Sequence, residues 1–330
     1  DTCHALAVVR AIQDTWPEAR ITWIIGKTEA SLLADIPGIE FIIFDKSEGR
    51  SAYRSLAGKL NSTKFDVTLC MHASMRVNRI YRMLNSPIKL GFDRRRARDF
   101  QWLFTNQRIE PKANQHVLDG MMSFARHIGV PDRALRWDIP LAESHRAFAR
   151  QHVGDRPALI ISPCSTQRSR NFRNWSIENY AAAAKYARNH YDCAIVLTGG
   201  PTPLEKDYGL GIADLCGPDT INLIGKTSLK ELLAVLATGT ALICPDSGPA
   251  HMATTVGTPV IGLYATSNPA RTGPYLSQNL VVNAYADAAG RFLGKTPDQL
   301  RFGQRIRDPR AMDLIRLKDV NRKIDDVFTR

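Results

Sequence analysis

Residues 241–257 read ALICPDSGPAHMATTVG. Four apolar residues, 241–244, make a buried strand, Pro-Asp-Ser-Gly-Pro makes a tight turn, and the remainder makes a short helix with Pro249 in its first turn. A strand that turns at once into a helix aims backbone N–H groups and a helix N-terminus at one point. Such a point is suited to an anion such as a diphosphate. The plainer reading is that Asp246 or Ser247 only caps the helix. With either reading, strand–turn–helix is the unit of an α/β fold with parallel strands.

Outward from this unit the same alternation continues. Strands are predicted at 158–162, 194–198, 221–223 and 260–264, and in the first half at 21–25, 41–44, 67–71 and 89–91. Helices are predicted at 4–16, 52–60, 77–84, 115–127 and 312–328. Ser176 with Glu178, and Ser228 with Glu231, mark two helix starts. Alternation of this kind calls for crossover helices between parallel strands. The polar segment 138–157, with Pro140, Gly154 and Pro157, separates the two blocks. It sets a first domain at 1–153 and a second at 154–330, with the last helix free to pack back on the first domain. The chain opens at Asp1 in a helical pattern, where an α/β domain ordinarily opens with a strand, so a short leading segment is expected before this numbering.

The 330 residues suit two domains. A net charge of +12, from 44 Lys and Arg against 32 Asp and Glu, favours an anionic partner. Six cysteines stand singly with no CxxC, and read as buried free thiols of a reducing compartment. No apolar run approaches the ~20 residues of a membrane-spanning helix.

A second anion-binding candidate is the loop 162–175, SPCSTQRSRNFRNW, which leaves a strand and offers Ser165, Thr166, Arg168, Arg170 and Arg173. A solvated basic loop is the plainer alternative, but both loops leave strand C-termini in one half, where open α/β sheets bind ligands. Gly225-Lys226-Thr227 ends like a P-loop, yet Thr220 stands where its first glycine belongs. Gly209 and Gly211 give half a dinucleotide fingerprint, with Asp214 at the third glycine. The eight histidines include no HExxH and no zinc spacing with cysteine, and no protein-built metal site is expected. Between 76 and 98 eight basic residues face one acid, Asp93. Arg76, Arg79, Arg94, Arg95 and Arg96 are the candidates there for an anionic acceptor.

Residues 222–274, NLIGKTSLKELLAVLATGTALICPDSGPAHMATTVGTPVIGLYATSNPARTGP, resemble the long signature of the ADP-heptose lipopolysaccharide heptosyltransferases, glycosyltransferase family nine. A GKTSL helix start, a DSG turn followed by histidine, and a GTP strand succeed one another as in that family. The opening Asp1-Thr2-Cys3-His4-Ala5-Leu6 resembles its GD..H.LP segment, and 162–175 its phosphate-contacting loop, with Arg173 where many relatives have Lys.

The resemblance implies a GT-B fold: two Rossmann-like domains with a cleft between them, the N-terminal one for the acceptor and the C-terminal one for the nucleotide sugar. It implies an inverting, metal-independent transfer of heptose from ADP-heptose to the inner core (Kdo or heptose) of lipopolysaccharide, with no cofactor. Asp1 matches the general base, and a free α-amino group there would make it a poorer one, in keeping with a leading segment. Arg173 and the amides after Asp246 would stabilise the departing ADP in place of a metal. Ser165, Thr166, Ser247, Gly248 and His251 complete the nucleotide-sugar set, with Glu205 as a ribose acceptor. A monomer at the cytoplasmic face of the inner membrane is expected, without nucleic acid. The competing readings are another GT-B enzyme with a different donor, an epimerase included, and a basic nucleic-acid-binding protein.

Overall fold

The computed structural model describes residues 2–165 and 171–329. The chain divides into two compact units between Pro140 and Leu141, inside the polar segment 138–157.

The first unit runs α1 (Thr2–Thr15), β1 (Ile21–Gly26), α2 (Lys27–Leu33), β2 (Ile39–Phe44), α3 (Arg50–Leu60), β3 (Val67–Leu69), α4 (Met75–Met83), β4 (Ile88–Gly91), β5 (Gln107–Arg108) and α5 (Val117–His127). β1 and β2 pair in parallel with Ile21 opposite Ile39, and β3, β4 and β5 form a separate three-stranded parallel sheet. Parallel neighbours need a crossover, and α2 and α4 supply it for β1–β2 and β3–β4. α1 is buried from Cys3 to Ile12, charged residues included. Its Arg10 donates from Nε to the Trp137 carbonyl (2.9 Å) and from Nη2 to that of Asp138 (2.7 Å), while Trp137 Nε1 donates to the Cys3 carbonyl (2.8 Å). The end of the unit is thus strapped to its first helix.

The second unit runs α6 (Glu143–Val153), β6 (Ala158–Ile161), α7 (Ile177–Tyr191), β7 (Ala194–Leu197), α8 (Pro203–Cys216), β8 (Ile221–Asn222), α9 (Leu229–Thr238), β9 (Ala241–Pro245), α10 (Gly248–Thr255), β10 (Val260–Tyr264), α11 (Pro269–Thr272), β11 (Val282–Asn283), α12 (Tyr285–Leu293) and α13 (Leu317–Phe328). Its six strands are all parallel in the order β11-β10-β9-β6-β7-β8. Chain order runs outward to one side from β6 and to the other from β9. The sheet therefore reverses direction between β6 and β9, and there the loops leaving neighbouring strands diverge. β6, β7, β9 and β10 are buried throughout, as strands covered on both faces must be.

Ser176 caps α7, and Ser228 with Glu231 forms the capping box of α9. α6 lies in the polar segment that separates the two blocks and packs on α9, burying Ala149 and Val153. α13 buries Val320, Ile324 and Val327 and packs on α7, where the Tyr186 and Tyr191 hydroxyls donate to Asp325. Its apolar face is thus used within the second unit. The helix expected from 312 begins with a short 3-10 turn and becomes regular at Leu317. Among the described residues no helix is long and apolar enough to cross a membrane.

All six cysteines are unbridged and buried. Burial pushes the Cys70 and Cys164 thiols up to about 12, so almost no thiolate exists at pH 8. Ellman's reagent should therefore leave the native protein unlabelled over minutes and titrate six thiols after unfolding. Rapid labelling of a thiol under native conditions would contradict this packing.

Candidate functional site

The turn after β9 lies beside the reversal point. Asp246 is buried, and its carboxylate is met from three further segments. The Ser267 hydroxyl, from the loop after β10, donates to Oδ2 (2.7 Å). Arg173 Nη1, from the loop after β6, donates to the Asp246 carbonyl (2.5 Å) and lies 3.3 Å from Oδ2. Arg305 Nη2 lies 3.9 Å from the same oxygen. A buried carboxylate needs such partners, since an uncompensated one would cost several kcal/mol.

With Asp246 engaged in this way, the simple capping role does not occur. The Ser247 hydroxyl donates back to the Pro245 carbonyl (3.1 Å), and α10 receives no side-chain cap. The amides of its first turn are left to other acceptors, and Pro249 has none to offer. A methyl group built on Gly248 would meet nothing within 4 Å, so that face of the turn is open. Gly257, at φ +79°, ends the helix in the left-handed conformation that glycine tolerates.

The neighbouring loops are linked into the same edge. Ser162 and Thr198, at the ends of β6 and β7, share a 2.5 Å hydrogen bond between hydroxyls. Ser165 is buried, and its amide donates to Asn174 Oδ1 (2.9 Å). Trp175, fully buried and edge-on to Tyr180 at 5.4 Å, fixes the far end of this loop at the start of α7. His251 sits half-buried in the first turn of α10. Thr166, Arg168 and Arg170 lie outside the described residues, as does Asp1.

Glu205 takes a part that its sequence position did not announce. Its Oε1 accepts from the Gly200 amide (2.7 Å) and its Oε2 from the Thr202 hydroxyl (2.6 Å), closing the loop after β7. Each oxygen retains a lone pair for a ligand hydroxyl. Ser267 and Arg305 are further site residues. Ser267 falls in the recognisable strand-end motif, whereas Arg305 stands in an irregular stretch with no pattern to mark it. Together with Asp246, Asn268 and Arg271 they line a small cavity.

In the first unit, Arg76 and Arg79 on α4 and Arg94 and Arg95 after β4 are exposed. Arg96 differs. Its guanidinium pairs with Asp93 and donates to Gln115 Oε1 (2.8 Å) and the Glu110 carbonyl (2.9 Å). All three of its nitrogens serve the fold.

The family model described as "Glycosyltransferase family 9 (heptosyltransferase)" matches residues 53–294. This chain belongs to glycosyltransferase family 9. It is 39% identical over 321 residues to the lipopolysaccharide core heptosyltransferase OpsX of Haemophilus influenzae, spanning 97% of this chain and 91% of the relative. Lipopolysaccharide heptosyltransferase 3 of Escherichia coli is 23% identical over 79% of each chain. In fold, the family 9 enzyme from Veillonella parvula matches with a TM-score of 0.80 at 20% identity, covering 99% of this chain and 94% of that one. The E. coli heptosyltransferase WaaC, solved with ADP, matches with a TM-score of 0.76 at 17% identity, covering 98% and 95%. The family 9 chain is thus a glycosyltransferase of the GT-B fold, with two Rossmann-like domains.

In this transferase Arg173→Ala should lower kcat by about 10²-fold or more, the scale of losing one donor to developing negative charge. Arg173→Lys should recover only part, because an ammonium placed at Nη1, the one atom that meets both Asp246 oxygens, lacks the second terminal nitrogen of a guanidinium. A normal kcat with only a raised donor KM would assign Arg173 to ground-state binding.

Proposed function

We propose that this chain is an inverting heptosyltransferase that moves heptose from ADP-heptose to the inner core of lipopolysaccharide. One observation carries the reading: at the reversal point of the second sheet, an uncapped helix N-terminus and the Arg173 guanidinium converge on the open turn 246–248. That is a site for the diphosphate of a nucleotide sugar. The 39% identity to a lipopolysaccharide core heptosyltransferase supports heptose and the inner core as donor sugar and acceptor.

In this mechanism Asp1 takes the proton from the acceptor hydroxyl. The acceptor oxygen attacks the anomeric carbon from the face opposite the diphosphate, and the bond to the diphosphate breaks with inversion. Arg173 and the amides from Gly248 onward meet the charge that gathers on the leaving ADP, the task a divalent cation performs in other transferases. Ser165, Thr166, Ser247 and His251 surround the phosphates and sugar, and Glu205, once its loop is closed, accepts from a ribose hydroxyl. The first domain binds the acceptor, with Arg76, Arg79, Arg94 and Arg95 meeting its carboxylates and phosphates at the cytoplasmic face of the inner membrane. Arg96 supports that surface from within.

The direct test is transfer from ADP-heptose to a panel of truncated lipopolysaccharides, read by mass spectrometry. One added heptose on an inner-core acceptor is the expected product, and no product from any member of the panel would defeat the reading. Asp1→Asn should lower kcat by about 10²- to 10⁴-fold, the range of general-base catalysis, with ADP affinity unchanged. Full activity would require another base; His4, buried edge-on to His116 at 5.6 Å, is the nearest in sequence. Replacing Arg94 and Arg95 by Ser, with Arg96 kept for the fold, should raise acceptor KM about three- to tenfold and leave donor KM unchanged. A donor defect instead would overturn the division of labour between the domains.

A further inference from the structure

Residues 99–104, DFQWLF, follow directly on the basic run and place three large apolar side chains in water: Phe100 (61% exposed), Trp102 (48%) and Leu103 (62%). Most exposed apolar side chains of a globular protein are scattered and call for no explanation. These three stand within four residues, and the backbone that presents them is fixed rather than loose. Gln101 between them is fully buried, donating from Nε2 to the Cys70 carbonyl (2.8 Å) and accepting from the Phe92 amide (3.1 Å). Asp99 accepts from the Met75 amide at the start of α4 (3.0 Å), and its carbonyl accepts from the buried Asn78 (2.8 Å). Asp99 and Phe100 both hold positive φ, 51° and 58°, a conformation unfavourable for phenylalanine that persists only where the surroundings impose it. Anchored inward at Gln101 and Phe104, the segment keeps Phe100, Trp102 and Leu103 turned outward.

The charge beside this segment selects its partner. Arg94, Arg95 and Arg98 precede it and are exposed, and Arg76 and Arg79 lie on the helix whose first turn it caps. Among the neighbouring acids, Asp93 is paired with Arg96, and Asp99 is held by the Met75 amide. A second copy of the chain docked face to face would oppose arginine to arginine. An anionic bilayer offers the reverse: head groups for the guanidinium groups and an acyl boundary for the apolar side chains. Trp and Phe are favoured at that depth.

We propose that residues 100–103 form a preset wedge that inserts Phe100, Trp102 and Leu103 into the interface of an anionic membrane while Arg94, Arg95 and Arg98 hold its head groups. The proposal rests on the membrane-surface reading above and adds to it an apolar component that salt does not screen. It also gives the first domain an orientation, with the α4 N-terminus and the 93–103 segment against the bilayer that carries a lipid-linked acceptor.

The test is flotation of the full chain with vesicles of phosphatidylglycerol and phosphatidylethanolamine, at low salt and at about 0.5 M salt, where exposed charges are screened within a few ångströms. Wild type should remain partly bound at high salt. The variant Phe100→Ser, Trp102→Ser, Leu103→Ser, with an unchanged melting temperature, should bind about tenfold or more weakly at low salt and not at all at high salt. Brominated acyl chains should quench emission in wild type, and Trp102→Phe, which keeps the wedge apolar, should retain binding and lose most of that quenching. Wild-type binding by the triple variant, or quenching that survives Trp102→Phe, would overturn the wedge and leave charge as the sole attachment. A triple variant that turns a dimer into a monomer would reassign the patch to self-association. One that fails to glycosylate a delipidated acceptor would reassign it to the sugar site. Should wild type bind no vesicle at any salt while it glycosylates that soluble acceptor normally, the membrane reading itself would fall and the transferase reading would stand.

Discussion

The Arg173 guanidinium donates to the Asp246 carbonyl and lies against its carboxylate, tying the loop that leaves β6 to the turn that leaves β9. These two strands are neighbours at the point where the chain order of the sheet reverses. In open parallel sheets the gap between such exits is the natural place for a ligand. The bridge closes it from below. It orients the turn so that Gly248 stays open and the first amides of α10 are not taken by a side-chain cap. Ser267 adds a third strand end to the same carboxylate, and the bond between the Ser162 and Thr198 hydroxyls ties the exit of β7 to that of β6. Nη1 alone meets both Asp246 oxygens, and under the proposed function the charge of the planar guanidinium also acts on the anionic ligand.

Under the proposed function, this arrangement holds the site of the leaving diphosphate in place before the ligand arrives. The sheet beneath it is buried on both faces and rigid, and α7 lies close over it through the small side chains Ala181, Ala183, Ala184 and Ala187. Donors fixed in this way need not reorganise as charge develops, which is the source of their catalytic value. The first domain is built differently. Its strands fall into two separate sheets, and exposed arginines on α4 and in the turn after β4 are among those it carries. A surface of that kind suits an extended anionic acceptor better than a small enclosed ligand.

Much of this was legible in the sequence, for reasons that can be named. Continuous apolar runs such as ALII, AIVL and VIGLY admit little except buried parallel strands, and Ser228 with Glu231 fixes where a helix starts. The turn PDSGP stands out by its local pattern as a candidate site, whereas the partners of its Asp246, Ser267 and Arg173, lie 21 and 73 residues away along the chain. α6 went unread in the polar segment 138–157 because Ala142 offers no capping side chain and only Ala149 and Val153 are buried along it. Arg96 looked like its exposed neighbours in the run RRRAR, since nothing local tells that Gln115 and Glu110 will meet it. Glu205 reads in the sequence as a ligand group, whereas the contacts it makes close the loop after β7. Arg305 and the outward set of Phe100, Trp102 and Leu103 carried no sequence signal, because exposure is decided by distant packing.

The central claim is that one nucleotide site is assembled at the reversal point of the second sheet from the loops after β6 and β9. Amide hydrogen exchange of the full chain, with and without ADP, tests it most directly. Segments 162–175 and 245–251 should both gain protection on adding ADP, with the segment around Ser267 following through its bond to Asp246. Protection confined to loops of the first domain, with 245–251 unchanged, would contradict the claim.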